Sequence, residues 1–154
     1  MINRPFGHQE RVTELLTSPP PPQADGLHAW ALSDSTELRS LRARLRQAVN
    51  AFAATDGAAL DEIAENMVLV ATELATNAIR HGLPPVTVRL LHTADQFVID
   101  VADHDLSAVP ELAGTRPPGA GGRGLHLARA LSLQVGWYAT DTTKHVWACF
   151  PIHP

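Results

Sequence analysis

Cysteine, tyrosine and lysine are almost missing from this chain. Among 154 residues there is one of each: Cys149, Tyr138 and Lys144. A single cysteine excludes an internal disulfide and fits a reducing, cytoplasmic setting. No run approaches the roughly 20 apolar residues of a membrane helix. Met1 to Val12 is polar and mixed in charge, without the apolar core of a signal peptide. Basic residues are also in deficit, 12 against 16 acidic, for a net charge of −4. That balance argues against a nucleic-acid-binding surface spread over the whole protein. Arginine outnumbers lysine 11 to one, which together with abundant alanine reads as GC-rich codon usage rather than a functional signal.

What is present is a globular composition, 45% hydrophobic and 18% charged, in one domain's worth of chain. Residues 1–26 read as a tail whose Ser18-Pro19-Pro20-Pro21-Pro22 run excludes a helix. Residues 27–154 read as the domain. A short strand is expected from Leu27 to Leu32. A helix follows from Asp34, with Glu37 three residues on as in a capping box. Its stripe is Leu38, Leu41, Leu45, Val49 and Phe52, and Arg39, Arg42 and Arg46 share another face. A second helix, Leu60 to His81, carries the stripe Ile63, Met67, Val70, Leu74 and Ala78, with Gly82 as its stop.

Strand-like runs come next at Val86 to Leu91 and Gln96 to Ala102. A loop over residues 103–122 is rich in Pro and Gly. A third helix, Arg123 to Ser132, and two closing strands, Leu133 to Ala139 and His145 to Ile152, complete the order. Helices and strands do not alternate, which disfavours a doubly wound parallel sheet. The expected fold is α+β: a two-layer sandwich, its sheet mixed but mostly antiparallel, with three helices on one face.

Three features carry possible chemistry. Glu73 and Asn77 are four apart, so they lie on one helix face a turn apart. A carboxylate there can take a proton and an amide oxygen can hold Mg²⁺; on spacing alone the pair also reads as the wet edge of an amphipathic helix. The cluster Gly119-Ala120-Gly121-Gly122-Arg123-Gly124-Leu125 leads into a helix, an arrangement that suits a phosphate chain or a plain flexible turn. Asp103 ends an apolar strand, where it serves either as acceptor for an exocyclic amine or as a turn residue.

In this order, on these elements, residues 27–152 resemble the Bergerat-fold (GHKL) ATP-binding domains of gyrase, Hsp90, histidine kinases and MutL. More closely, they resemble anti-sigma-factor serine/threonine kinases of actinobacterial type. Glu73 to Gly82 resembles the family's N box, Asp103 the aspartate of its first glycine box, Gly122-Arg123-Gly124-Leu125 its second, and Lys144-His145-Val146-Trp147 its closing strand.

The resemblance implies ATP and Mg²⁺ as ligands. Asn77 would hold Mg²⁺, Glu73 would be the general base, and Asp103 would read the adenine amine. Gly119, Gly121, Gly122, Arg123, Gly124 and Leu125 would lie at the phosphates. Arg80, His81 and Lys144 would lie near the nucleotide, and His145 would stand in place of a threonine at the adenine. It also implies partners: a sigma factor and an anti-anti-sigma (STAS-type) antagonist, met through Arg39, Arg42 and Arg46, and a homodimer. Asp103-His104-Asp105-Leu106-Ser107 lacks both glycines of the first box. A regulator of the same fold with weak or no catalysis is the alternative, and a histidine kinase is disfavoured because 26 residues leave no room for a preceding dimerisation helix.

Overall fold

This computed structural model describes Thr17 and residues 24–56, 61–107 and 123–152; for 53–56 and 123–125 it describes the backbone alone. The elements are β1 (Asp25–Leu32), α1 (Leu38–Asp56), α2 (Asp61–His81), β2 (Val86–His92), β3 (Gln96–Asp103), α3 (Arg123–Leu131), β4 (Gln134–Ala139) and β5 (Lys144–Pro151). The strands form one sheet in the order β1-β2-β3-β5-β4. Every neighbouring pair in it is antiparallel. The expected α+β sandwich is therefore present, and its five described strands pair antiparallel throughout. The one parallel contact among the described residues is an isolated bridge between Thr17 and Trp137.

Short polar turns explain two of the four antiparallel pairs, β2–β3 and β4–β5. Between β2 and β3, Thr93 Oγ1 accepts from the backbone N–H of Asp95 (3.3 Å) and Gln96 (3.1 Å). Between β4 and β5, Thr140 Oγ1 accepts from Thr142 N (3.2 Å) and Thr143 N (3.0 Å). Such hydroxyl-to-backbone bonds close a tight turn without glycine.

Asp34 starts the first helical segment as expected, but the first turn is a 3-10 turn, Ser35–Glu37, with Asp34 Oδ1 accepting from Thr36 N at 2.9 Å. Glu37 reaches back one residue further than a capping box would, accepting from Ser33 N at 2.7 Å. The apolar stripes then do what their spacing requires. Leu41, Leu45 and Val49 of α1 and Met67, Val70 and Leu74 of α2 are buried against Val86, Val88, Leu90, Phe97, Ile99, Ala148 and Phe150 of the sheet.

β3 alternates Phe97, Ile99, Val101 and Asp103 toward the helices with Val98, Asp100 and Ala102 toward the other face. That other face is also buried at its centre. Leu91, Val98, Trp147 and Cys149 form a second cluster, with Ala24 and Tyr138 packed on it. No described helix is long and apolar enough to cross a membrane.

Leu45 is 0% exposed at the centre of the main core. Leu45→Ala should cost about 2–5 kcal/mol of unfolding free energy, read from urea denaturation. Arg44→Ala, on the exposed side of α1, should stay within about 0.5 kcal/mol.

Candidate functional site

The site is built on α2. Successive helical residues turn by about 100°, so Glu65 and the set Asn66, Glu73 and Asn77 lie on opposite flanks of the buried stripe. The Glu65 flank is tied to α1. Arg46 donates to Glu65 through Nε at 2.9 Å and Nη2 at 3.2 Å. That bond, then the charge of Arg46, holds the Glu65 carboxyl below its usual range. Glu73 and Asn77 are half-buried on the other flank, and α3 also packs along α2. Thr72 and Thr76 donate back to the carbonyls of Val68 (2.6 Å) and Thr72 (2.7 Å), so their hydroxyls are satisfied within the helix.

α2 ends against a buried carboxylate. Asp103, the last residue of β3, is 5% exposed. Its Oδ1 accepts from Asp105 N at 2.7 Å, and its Oδ2 lies 3.7 Å from Lys144 Nζ. Gly82 makes the approach possible. A methyl group there would collide with Asp103 Cγ, and would come within 2.7 Å of both Asp103 Oδ1 and the Ala78 carbonyl. By helix rise, this corner stands about 7 Å from Asn77 and about 13 Å from Glu73 along α2. One rigid element thus sets three groups in line.

The segment after Asp103 needs no glycine because side chains close it. Ser107 N donates to Asp105 Oδ1 at 3.0 Å, and the Ser107 hydroxyl does so at 2.5 Å. Those bonds, chiefly the hydroxyl's, pull the Asp105 carboxyl below the usual carboxylate range, and the charge of Lys144 adds to the effect. His104 turns away, its backbone N–H donating to Leu83 O at 3.0 Å and its Nδ1 lying 3.2 Å from Pro85 O.

The positions named from the sequence sort as follows. Glu73, Asn77, Asp103 and Lys144 share the helix flank and its end. Arg80 and His81 are exposed in the last turn of α2. α3 begins at Arg123, as expected. Gly119, Gly121 and Gly122 lie outside the described residues, as do the side chains of Arg123 and Leu125; of Gly124 only the place in α3 is described. Arg39 is exposed, Arg42 is half-buried, and Arg46 is engaged by Glu65. Among the described residues no cluster of His, Cys, Asp or Glu forms a metal site. A Mg²⁺ ion here would take Asn77 with phosphate and water oxygens, which suits its habit of keeping several waters.

One expectation is corrected. His145 does not lie on the face of the sheet that carries Asp103. Alternate residues of β5 point to opposite faces, so Lys144 meets Asp103 on the helix side while His145 lies on the outer face. There it belongs to a network that the sequence did not reveal. Asp100 is 0% exposed. It receives His145 Nδ1 at 2.8 Å, Tyr138 OH at 3.0 Å and, as an ion pair, Arg89 Nη2 at 3.3 Å. Thr143 Oγ1 lies 2.8 Å from His145 Nε2, and the Tyr138 and His145 rings stack at 4.4 Å. The only available signal was a charged residue amid the apolar run Phe97 to Ala102.

A sheet whose described helices all lie on one face, with one helix that carries a carboxylate and an amide and ends at a buried strand-end aspartate, is the architecture of a GHKL-type ATP-binding domain. The chain matches the histidine kinase-like ATPase domain over residues 35–150, and it belongs to that family. ATP binding is what this domain implies. A search of curated proteins gave no match.

Gly82→Ala should displace Asp103 and weaken ATP binding at least about tenfold, a lost bond to a charged acceptor, read by calorimetric titration. A second test concerns Tyr138. Burial first, then the charge and bond of Asp100, push its phenol up to about 12. The unfolded chain titrates near 10, so this contribution is whole below pH 10 and is lost as pH rises toward 12. Stability measured across that window should fall more steeply for the native chain than for Tyr138→Phe.

Proposed function

We propose that this chain is an ATP-dependent serine/threonine protein kinase of the anti-sigma type. It would phosphorylate an anti-anti-sigma, STAS-type antagonist in the cytoplasm and hold a sigma factor once that antagonist is phosphorylated. The observation that carries this reading is the line of groups on α2: Glu73, Asn77 and the Asp103 corner at Gly82. Membership in an ATP-binding family supports the nucleotide. The N box and the Gly122-Arg123-Gly124-Leu125 run support the anti-sigma kinase subtype by resemblance.

In this reading Glu73 takes the proton from a partner serine hydroxyl as its oxygen bonds to the terminal phosphorus and the bond to ADP breaks. Asn77 would hold Mg²⁺, which when bound would supply charge neutralisation at the phosphates. The Gly122 to Gly124 backbone would line the phosphates with N–H donors. Phosphoryl transfer asks little else of a protein than such placement and electrostatic support. The phosphate then adds about −1.5 to −2 charges to the antagonist, enough to break a complex by repulsion and desolvation. Arg39 and Arg42 are the arginines of α1 offered to a partner or to a second copy in a homodimer. Arg46 would have to leave Glu65 first.

A second reading has one specific observation behind it. Asp103 already meets Asp105 N and Lys144, and the glycines of its box are replaced by residues that hydrogen-bond locally. This suits a regulator that works by contacts without turnover.

Mixing the chain with labelled ATP and a STAS-type substrate separates the two readings. Glu73→Ala should reduce transfer at least about a hundredfold while ATP affinity changes little. Asn77→Ala should instead weaken Mg-ATP binding. An unchanged transfer rate in Glu73→Ala removes the general-base assignment, and no transfer by the native chain favours the regulator.

A further inference from the structure

We infer that Lys144 is a base-reading residue: paired with Asp103, it donates to ring nitrogen N1 of adenine while Asp103 accepts from the exocyclic amine. The inference rests on the nucleotide-binding reading above and assigns the specificity of that same site.

Lys144 is the chain's one lysine, and it is 8% exposed. Placing an ammonium there is costly unless its charge and protons are answered. A closed lysine–carboxylate bond has N···O near 2.7–2.9 Å. Lys144 Nζ stands 3.7 Å from Asp103 Oδ2, an ion pair without a direct hydrogen bond. The carboxylate is fixed from two sides, by the Gly82 backbone at the end of α2 and by Asp105 N on Oδ1. Its other oxygen is turned toward Lys144.

The corner therefore presents an acceptor and a donor side by side. Adenine offers the complement, an amine N–H next to an unprotonated ring nitrogen. Guanine offers the opposite polarity at those atoms, a carbonyl next to an N–H. The strand register keeps the two groups in order, since Asp103 and Lys144 are cross-strand partners at the ends of β3 and β5. Thr140 and Thr143 fix the turn that delivers Lys144, with Thr140 N donating to Thr143 O at 2.8 Å.

The test compares ligands that differ at one atom. The full chain is titrated with Mg-ATP, 1-deaza-ATP (a C–H in place of N1) and GTP, and the titrations are repeated for Lys144→Met and Lys144→Arg. The native chain should bind 1-deaza-ATP about tenfold more weakly than ATP, the loss expected for one bond to a charged donor. Lys144→Met should lose about the same factor for ATP and bind ATP and 1-deaza-ATP alike. Lys144→Arg, which keeps a donor, should restore the discrimination.

A deaza penalty that persists in a folded Lys144→Met overturns the inference and leaves the site reading intact. So does tighter ATP binding by Lys144→Met, which would make Lys144 a competitor for Asp103. GTP binding above ATP binding by the native chain also overturns it. Absence of any nucleotide binding by the native chain fails the site reading itself, and this inference with it.

Discussion

Two aspartates on one strand, buried on opposite faces of the sheet, set the terms for the rest of this molecule. Asp100 and Asp103 both belong to β3, and both are buried. A carboxylate removed from water must be met by donors or cations. β5 meets both with consecutive residues: His145 turns to Asp100 and Lys144 to Asp103. A slip of one residue between these strands would send each partner to the wrong face. Register, charge and site geometry are therefore one constraint.

The helix side explains why a site forms there at all. α2 is held by its apolar stripe against the sheet and by Arg46 to Glu65 on one flank. The bond between Arg46 and Glu65 is exposed and adds little stability of its own. Its effect is geometric, because it closes that flank with α1 and leaves Glu73 and Asn77 on the other. The end of α2 abuts Asp103 only because residue 82 has no side chain.

Much of this was legible in the sequence, for identifiable reasons. Helical spacing placed Glu73 beside Asn77, and the core stripes of α1 and α2 followed from three- and four-residue periods. Asp103 stood out as a carboxylate closing an apolar strand. Asp100 did not, because nothing in a single sequence shows that the sheet face away from the helices is buried. Its partners Arg89, Tyr138 and His145 come from three strands and meet only through register. Motif order alone puts His145 at the adenine. Successive side chains of a strand point to opposite faces, and Lys144 is the one that turns inward. The capping box was right at Asp34 and one residue short at Glu37, because the helix opens with a 3-10 turn.

The position of β5 has a consequence for biosynthesis. It is made after the other strands of the sheet, yet it lies between β3 and β4 rather than at an edge. On the ribosome, β1, β2 and β3 emerge first and can pair, but the two acids of β3 then have neither histidine nor lysine to meet them. The nascent sheet stays incomplete in charge as well as in hydrogen bonding until residues 144–151 leave the exit tunnel. Closure of the domain and assembly of the Asp103–Lys144 corner are then the same event.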